Sequence, residues 1–158
     1  MHLFYNALFH ELLLIIIVGN AQAVNVFLDT SNVYYDKSFD VNITVDPQGS
    51  AIAGVQTDVI FDNTTLELIS IKKGNLLNQS TNAFFTVVSQ NNTHISNIIG
   101  VVLGNTSITG SDVFAILTFK AKNTGEAFVE LKNLKISDPN AIKHKPLKCK
   151  VCYHETQW

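Results

Sequence analysis

Short stretches rich in Val, Ile, Phe and Thr recur along this chain with Asn, Asp and Gly between them, and this rhythm limits the fold more than any other feature. Eight such stretches stand out: Val24–Asp29, Phe39–Val45, Ile52–Phe61, Leu66–Ile71, Phe84–Ser89, His94–Ile99, Val113–Ala121 and Ala127–Ile136. Branched and aromatic side chains fit the pleated surface of a strand. The breaks include Asp46-Pro47-Gln48-Gly49, Lys73-Gly74-Asn75, Gln90-Asn91-Asn92 and Asn123-Thr124-Gly125. Asn, Asp and Gly tolerate tight or left-handed backbone. No window beyond residue 23 keeps a 3.6-residue apolar period with helix caps. Strands recurring at intervals of roughly 8–12 residues predict an all-β sandwich or barrel.

Alternation assigns faces, because successive side chains of a strand point to opposite sides. From Val55, the set Val55, Thr57, Val59 and Phe61 is expected inside. Gln56, Asp58, Ile60 and Asp62 are then expected outside. From Val113, the set Val113, Ala115, Leu117, Phe119 and Ala121 is expected inside. Phe114, Ile116, Thr118, Lys120 and Lys122 are expected outside, since that set ends in lysines. Phe114 and Ile116 would then be large apolar residues on an outer face, a pattern that marks interaction surfaces when contiguous.

Charge narrows the function. Only 15% of residues are charged, against about 25% in an average soluble protein, and the formal net charge is −2. All 11 cationic side chains are lysine. Without arginine the chain lacks the residue best suited to phosphate and base-edge recognition, so nucleic acid is not an expected partner. No G-x-S-x-G, H-E-x-x-H, G-x-G-x-x-G or P-loop motif occurs; His154-Glu155 lacks the second His. Asp58 and Asp62 share a strand face, but glycosidase chemistry needs a cleft between two acids. No catalytic residue and no metal ligand set is assigned.

The ends read differently from the middle. Leu12–Val18 is the apolar run LLLIIIV, followed by Ala21 and Ala23 at the −3 and −1 positions of an A-x-A cleavage site. Residues 1–23 are expected to be a secretory signal peptide, leaving no membrane span in the mature chain. Five N-x-S/T sequons, at Asn42, Asn63, Asn78, Asn91 and Asn105, agree with export and are candidate glycosylation sites. Residues 142–158 form a basic tail carrying Cys149-Lys150-Val151-Cys152 between His144 and His154. A metal or redox site can be written there. A loose terminus with a local or intermolecular disulfide is the expectation adopted.

Three blocks carry a resemblance to a known family. Gly54-Val55-Gln56-Thr57-Asp58-Val59-Ile60-Phe61-Asp62, running into Leu66-Glu67-Leu68-Ile69-Ser70-Ile71-Lys72-Lys73-Gly74-Asn75-Leu76-Leu77, resembles the cohesin pattern GVQxDΦxΦD followed by LEΦxSΦxxGxLL. Ile108–Lys122, ITGSDVFAILTFKAK, is similar to the family's ITGDGVLATITFKVK. LKNLKISDPNA, residues 131–141, is similar to the closing strand and its SDxNG-like turn. The resemblance spans residues 24–141 and implies a nine-stranded jelly-roll β-sandwich. It implies a non-catalytic module that binds a dockerin, a small Ca²⁺-loaded helical domain, through one sheet face. The calcium would belong to the dockerin, and polysaccharide would be reached only indirectly. The implied contact strands are Ile52–Phe61, Phe84–Ser89, His94–Ile99 and Val113–Ala121. Asp58 matches the family's contact Asp, and Gln56 takes the place of a polar contact residue two positions earlier. Ile60 joins them by alternation. Ser89 stands nearest to the family's contact Tyr, and Asn97 and Ile98 replace an acidic residue. Phe114 and Ile116 complete the expected partner-binding set.

Two alternatives compete. A carbohydrate-binding module would display a row of planar aromatics, but the single Trp, Trp158, lies in the tail. A self-associating cell-surface adhesion domain would pair copies through Ile60, Phe114 and Ile116.

Overall fold

The computed structural model describes residues 23–30, 32–140, 143–144 and 150–153, the last two segments by their backbone alone. The expected signal peptide, apart from its last residue, Cys149 and Trp158 lie outside the described residues. All eight expected strands form: β1 (Asn25–Thr30), β2 (Ser38–Asp46), β3 (Gly54–Phe61), β4 (Leu66–Lys73), β5 (Ala83–Gln90), β6 (His94–Val102), β7 (Asp112–Ala121) and β8 (Ala127–Ser137). Two short tail segments, β9 (Lys143–His144) and β10 (Lys150–Tyr153), also pair, both with β8. A one-turn 3₁₀ helix at Leu76–Gln79 was not legible in the apolar period.

The strands make two antiparallel sheets. One runs β1-β2-β7-β4, the other β10-β8-β3-β6-β5 with β9 also on β8. The result is an all-β sandwich with one apolar core between the sheets. Aromatic rings lock the layers together. Phe119 of β7 sits edge-on to Phe61 of β3, with centroids 5.0 Å apart. Phe114 of β7 meets Phe85 of β5 at 5.8 Å in the same manner.

Phe114 therefore corrects the simple alternation. It is fully buried, whereas Ile116 lies half-exposed on the outer side of its sheet. A bulge is the cause. Ile43 pairs with Ala115 and Thr44 with Val113, so Phe114 has no opposite residue on β2 and its side chain turns inward. Space for the ring comes from Gly100 of β6, where an added Cβ would stand 2.5 Å from a ring carbon of Phe114 and 2.9 Å from Leu77. Gly74 makes a second close approach. Its N–H donates to the Phe114 carbonyl at 2.9 Å, and a Cβ there would stand 2.1 Å from the Val113 carbonyl oxygen.

Two substitutions test this corner. Phe114→Ala opens a core cavity and is expected to lower unfolding free energy by about 3–5 kcal/mol. Gly74→Ala is expected to cost about 1–3 kcal/mol, because the obstacle is backbone and not a movable side chain. Both are read from urea denaturation midpoints.

Candidate partner-binding face

The outer face of the β8-β3-β6-β5 sheet is organised around Asp58. Alternation along β3 holds as expected: Val55, Thr57, Val59 and Phe61 are buried in the core, and Gln56, Asp58 and Ile60 point outward. Asp58 is nevertheless only 7% exposed, because its neighbours close over it. The Asn97 backbone N–H donates to Asp58 Oδ1 at 2.8 Å. The Asn133 side-chain amide donates to Oδ2 at 2.6 Å. His94 Nε2 lies 3.8 Å from the same oxygen. Gln56 donates its side-chain amide to Asn97 Oδ1 at 2.6 Å, extending the network.

Both donors sit in bulges. Thr57 pairs with Ile98 and Val59 with Ile95, so Asp58 alone faces Ser96 and Asn97 on β6. Gln56 pairs with Lys135 and Asp58 with Lys132, so Thr57 alone faces Asn133 and Leu134 on β8. Asn97 and Asn133 adopt φ of 52° and 50°. Asn tolerates this left-handed backbone better than β-branched residues do. The Thr57 hydroxyl, buried beneath, donates to the Lys132 carbonyl at 3.1 Å or to that of Asp58 at 3.0 Å.

Burial alone would raise the Asp58 carboxyl. The hydrogen bonds from Asn97 and Asn133, with the charges of His94 and Lys135, outweigh it and hold the group below the usual carboxylate range.

The bulges also decide which expected site residues reach the surface. Gln56, Ile60 and Asn97 are half-exposed on this face, and Ser89 is exposed on β5 opposite Ser96. Ile98 is fully buried, because the extra residue at Asn97 shifts the parity of β6 and turns Ile98 into the core. Ile99 and Val101 face outward in its stead, lining a shallow groove with Gln56, Lys135 and Ser137. Val113–Ala121 is not part of this face; β7 belongs to the other sheet, and β8 takes the expected place beside β3. Ile116 thus lies on the opposite side of the sandwich from Asp58. Ile60, Phe114 and Ile116 cannot form one self-association patch, since they occupy one face, the core and the other face.

Several surface residues were missed. Phe84 and Val88 of β5 are 52% and 61% exposed and lie beside Val101 and Asn97. Asn133 was missed as well. Its signal was a residue poorly suited to strands in the middle of a strand, as at Asn97. Among the described side chains, exposed aromatics occur at Phe27, Tyr34, Tyr35 and Phe84, on β1, the β1–β2 loop and β5, and these do not form a row on one sheet. No sequon asparagine lies on the strands of the Asp58 face, although Asn63 lines a hollow with Ile60 and His94 at its end and Asn91 accepts from the His94 N–H. Asn42 is half-buried in β2; Asn63 and Asn91 are in the turns after β3 and β5; Asn78 is in the 3₁₀ helix and Asn105 in the β6–β7 loop. Among the described residues no cluster of three or more His, Cys, Asp or Glu side chains could hold a metal ion, and no helix is long and apolar enough to cross a membrane.

The fold is that of cohesin modules. The Cohesin domain family model matches residues 24–145, and the chain belongs to that family. It is 31% identical over 113 residues to cellulose-binding protein A of Clostridium cellulovorans, an alignment covering 71% of this chain and 6% of that protein. The structure is similar to a non-cellulosomal cohesin from the archaeon Archaeoglobus fulgidus, with TM-score 0.67 and 13% identity, covering 86% of this chain and 93% of that one. It is also similar to the sixth cohesin of Acetivibrio cellulolyticus scaffoldin B, solved in complex with a Cel5 dockerin variant. That match has TM-score 0.66 and 20% identity, covering 85% and 100% of the two chains. A cohesin module from a Clostridium perfringens family 33 glycoside hydrolase matches with TM-score 0.67 and 10% identity, covering 84% and 96%.

The Asp58 network has a measurable pH signature. A carboxyl held lower in the folded chain than its unfolded value of about 3.9 stabilises fully above that value, and the contribution is lost as pH falls through the folded pKa. Asp58→Asn removes this dependence and sets an amide N–H₂ against at least one of the two donors. At neutral pH the variant is expected to be less stable by about 1–3 kcal/mol. Its stability should decline less than that of the wild type as pH falls below about 4, as measured by thermal melts across an acid series.

Proposed function

We propose that this chain is a secreted docking module that binds the dockerin of a partner protein through the outer face of the β8-β3-β6-β5 sheet. The observation that carries the proposal is the Asp58 network, set on an open face of a chain that belongs to the cohesin family. Gln56, Ile60, Ser89 and Asn97 are the expected contacts, and Phe84, Val88, Ile99 and Val101 add apolar area beside them. Asp58 acts by fixing Asn97 and Asn133 in place beneath the partner. Calcium resides on the dockerin. The module links its partner to an extracellular or cell-surface assembly and reaches polysaccharide through that assembly. A carbohydrate-binding role ranks below this one, because the exposed aromatics among the described side chains form no stacking platform.

Residues 1–23 act as the secretory signal, residues 24–141 form the docking domain, and residues 142–158 form the basic tail with its C-x-x-C. Full burial of Val24, the first residue after the expected cleavage site, supports that boundary. The sandwich is the family's nine-stranded jelly roll, with the tail segment Lys150–Tyr153 supplying the last strand. Asn42, Asn63, Asn78, Asn91 and Asn105 are the sites of N-linked sugar; Asn63 and Asn91 lie at the end of the docking face beside Ile60 and His94.

Calorimetry against a panel of Ca²⁺-loaded dockerins tests the proposal. Binding is expected to disappear on addition of EDTA. Ile60→Asp should weaken it at least about tenfold, equivalent to about 1.4 kcal/mol. Ile116→Asp, on the opposite sheet, should leave it unchanged. Equal effects of these two substitutions, or no dockerin bound at all, would overturn the assignment.

A further inference from the structure

We propose that β5 is a self-association edge through which two copies of this chain pair antiparallel, joining their sheets into one. The proposal does not depend on dockerin binding.

An exposed sheet edge offers unpaired N–H and C=O groups to any extended chain, so natural proteins guard such edges with charge, proline, bulges, short length or a covering segment. Three of the four edges here are guarded. The β8 edge is covered by β9 and β10. β1 is short, at six residues, and carries Asp29. β4 carries Glu67, Lys72 and Lys73, and a bulge at Ile69 breaks its ladder. β5 has none of these devices. It is eight residues long, AFFTVVSQ, and pairs with β6 without a register shift. Among the described residues no strand pairs with its far side. From Asn75 to Ser111 the chain contains no Asp, Glu, Lys or Pro, so the whole β5–β6 hairpin is uncharged apart from any protonation of His94.

A second copy suits this edge because an uncharged strand meets no like-charge repulsion across a two-fold axis. Directly opposed residues in an antiparallel pair share a face, so the axis must pass through a residue and not between two. With the axis at Thr86, Phe84 of one copy lies opposite Val88 of the other, twice over. Thr86 lies opposite Thr86, and Phe85 opposite Val87. Aromatic–branched and Thr–Thr pairs are among the favourable cross-strand combinations. The outer-face pairs cover Phe84 and Val88, the two most exposed apolar residues of the strand. Phe85 and Val87 already pack against the core side of their own sandwich. The two-fold axis stands perpendicular to the joined sheet, so both Asp58 faces point the same way, side by side.

Sedimentation of the full chain over a concentration series tests the pairing. The wild type should shift from monomer toward dimer as concentration rises. Thr86→Lys places two cations on the axis and should weaken the dimer at least tenfold, as should Thr86→Glu. An equimolar mixture of the two variants should associate again through the opposed Lys and Glu, an outcome that misfolded variants cannot give. A wild type that stays monomeric, a Thr86→Lys variant that dimerises like the wild type, or a mixture that fails to associate would each overturn the proposal.

Discussion

The carboxylate of Asp58 ties together the two places where the ladder of the larger sheet is broken. β3 is paired on both sides, and both neighbours carry an extra residue at the same level. A bulge leaves backbone groups without their strand partners and bends the strand. Here Oδ1 takes the orphaned N–H of Asn97 on one side, and Oδ2 takes the side chain of Asn133 on the other. Everything beyond the bulges depends on that arrangement. It sets the parity that buries Ile98 and leaves Ile99 and Val101 facing outward.

A nearly buried charge on a sheet face is costly unless it is fully hydrogen-bonded. That condition explains why Asp58 is surrounded by donors, and why it is better described as the organiser of the face than as an exposed acid awaiting a partner. The polar cluster around it borders an apolar strip along β5 and β6. Lys135 on β8 supplies cationic charge at the other margin, while Lys132 is paired with Glu130. A partner matched to this surface would combine hydrogen-bonding groups with apolar side chains.

The opposite sheet carries the sequon at Asn42, the 3₁₀ helix that at Asn78, and turns or loops those at Asn63, Asn91 and Asn105, with Asn63 at the end of the Asp58 face beside Ile60 and His94. The β5 edge borders the proposed docking face, and Phe84 and Val88 belong to both surfaces, so a dimer paired through β5 would share part of that area. Such a dimer would present two docking faces in one plane, and a partner with two docking modules would gain from their proximity.

Eight principal strands, the inward set of β3 and the outward placement of Gln56, Asp58 and Ile60 are legible in consecutive residues. Period-two alternation and turn chemistry are local signals, written in consecutive residues. The blocks around Gly54, Gly74 and Ile108 were enough to reveal the family resemblance. Tertiary structure alone decided that Phe114 and Ile98 are core residues, that β8 and not β7 flanks β3, and that the tail segments at 143–144 and 150–153 add strands. A bulge counts residues on one strand against residues on another distant in sequence, so it cannot be read from either strand alone. Sheet order is likewise settled by which apolar faces can close over one core. Asn97 and Asn133 hinted at their bulges through their residue type, but only the folded chain brought both of them to Asp58.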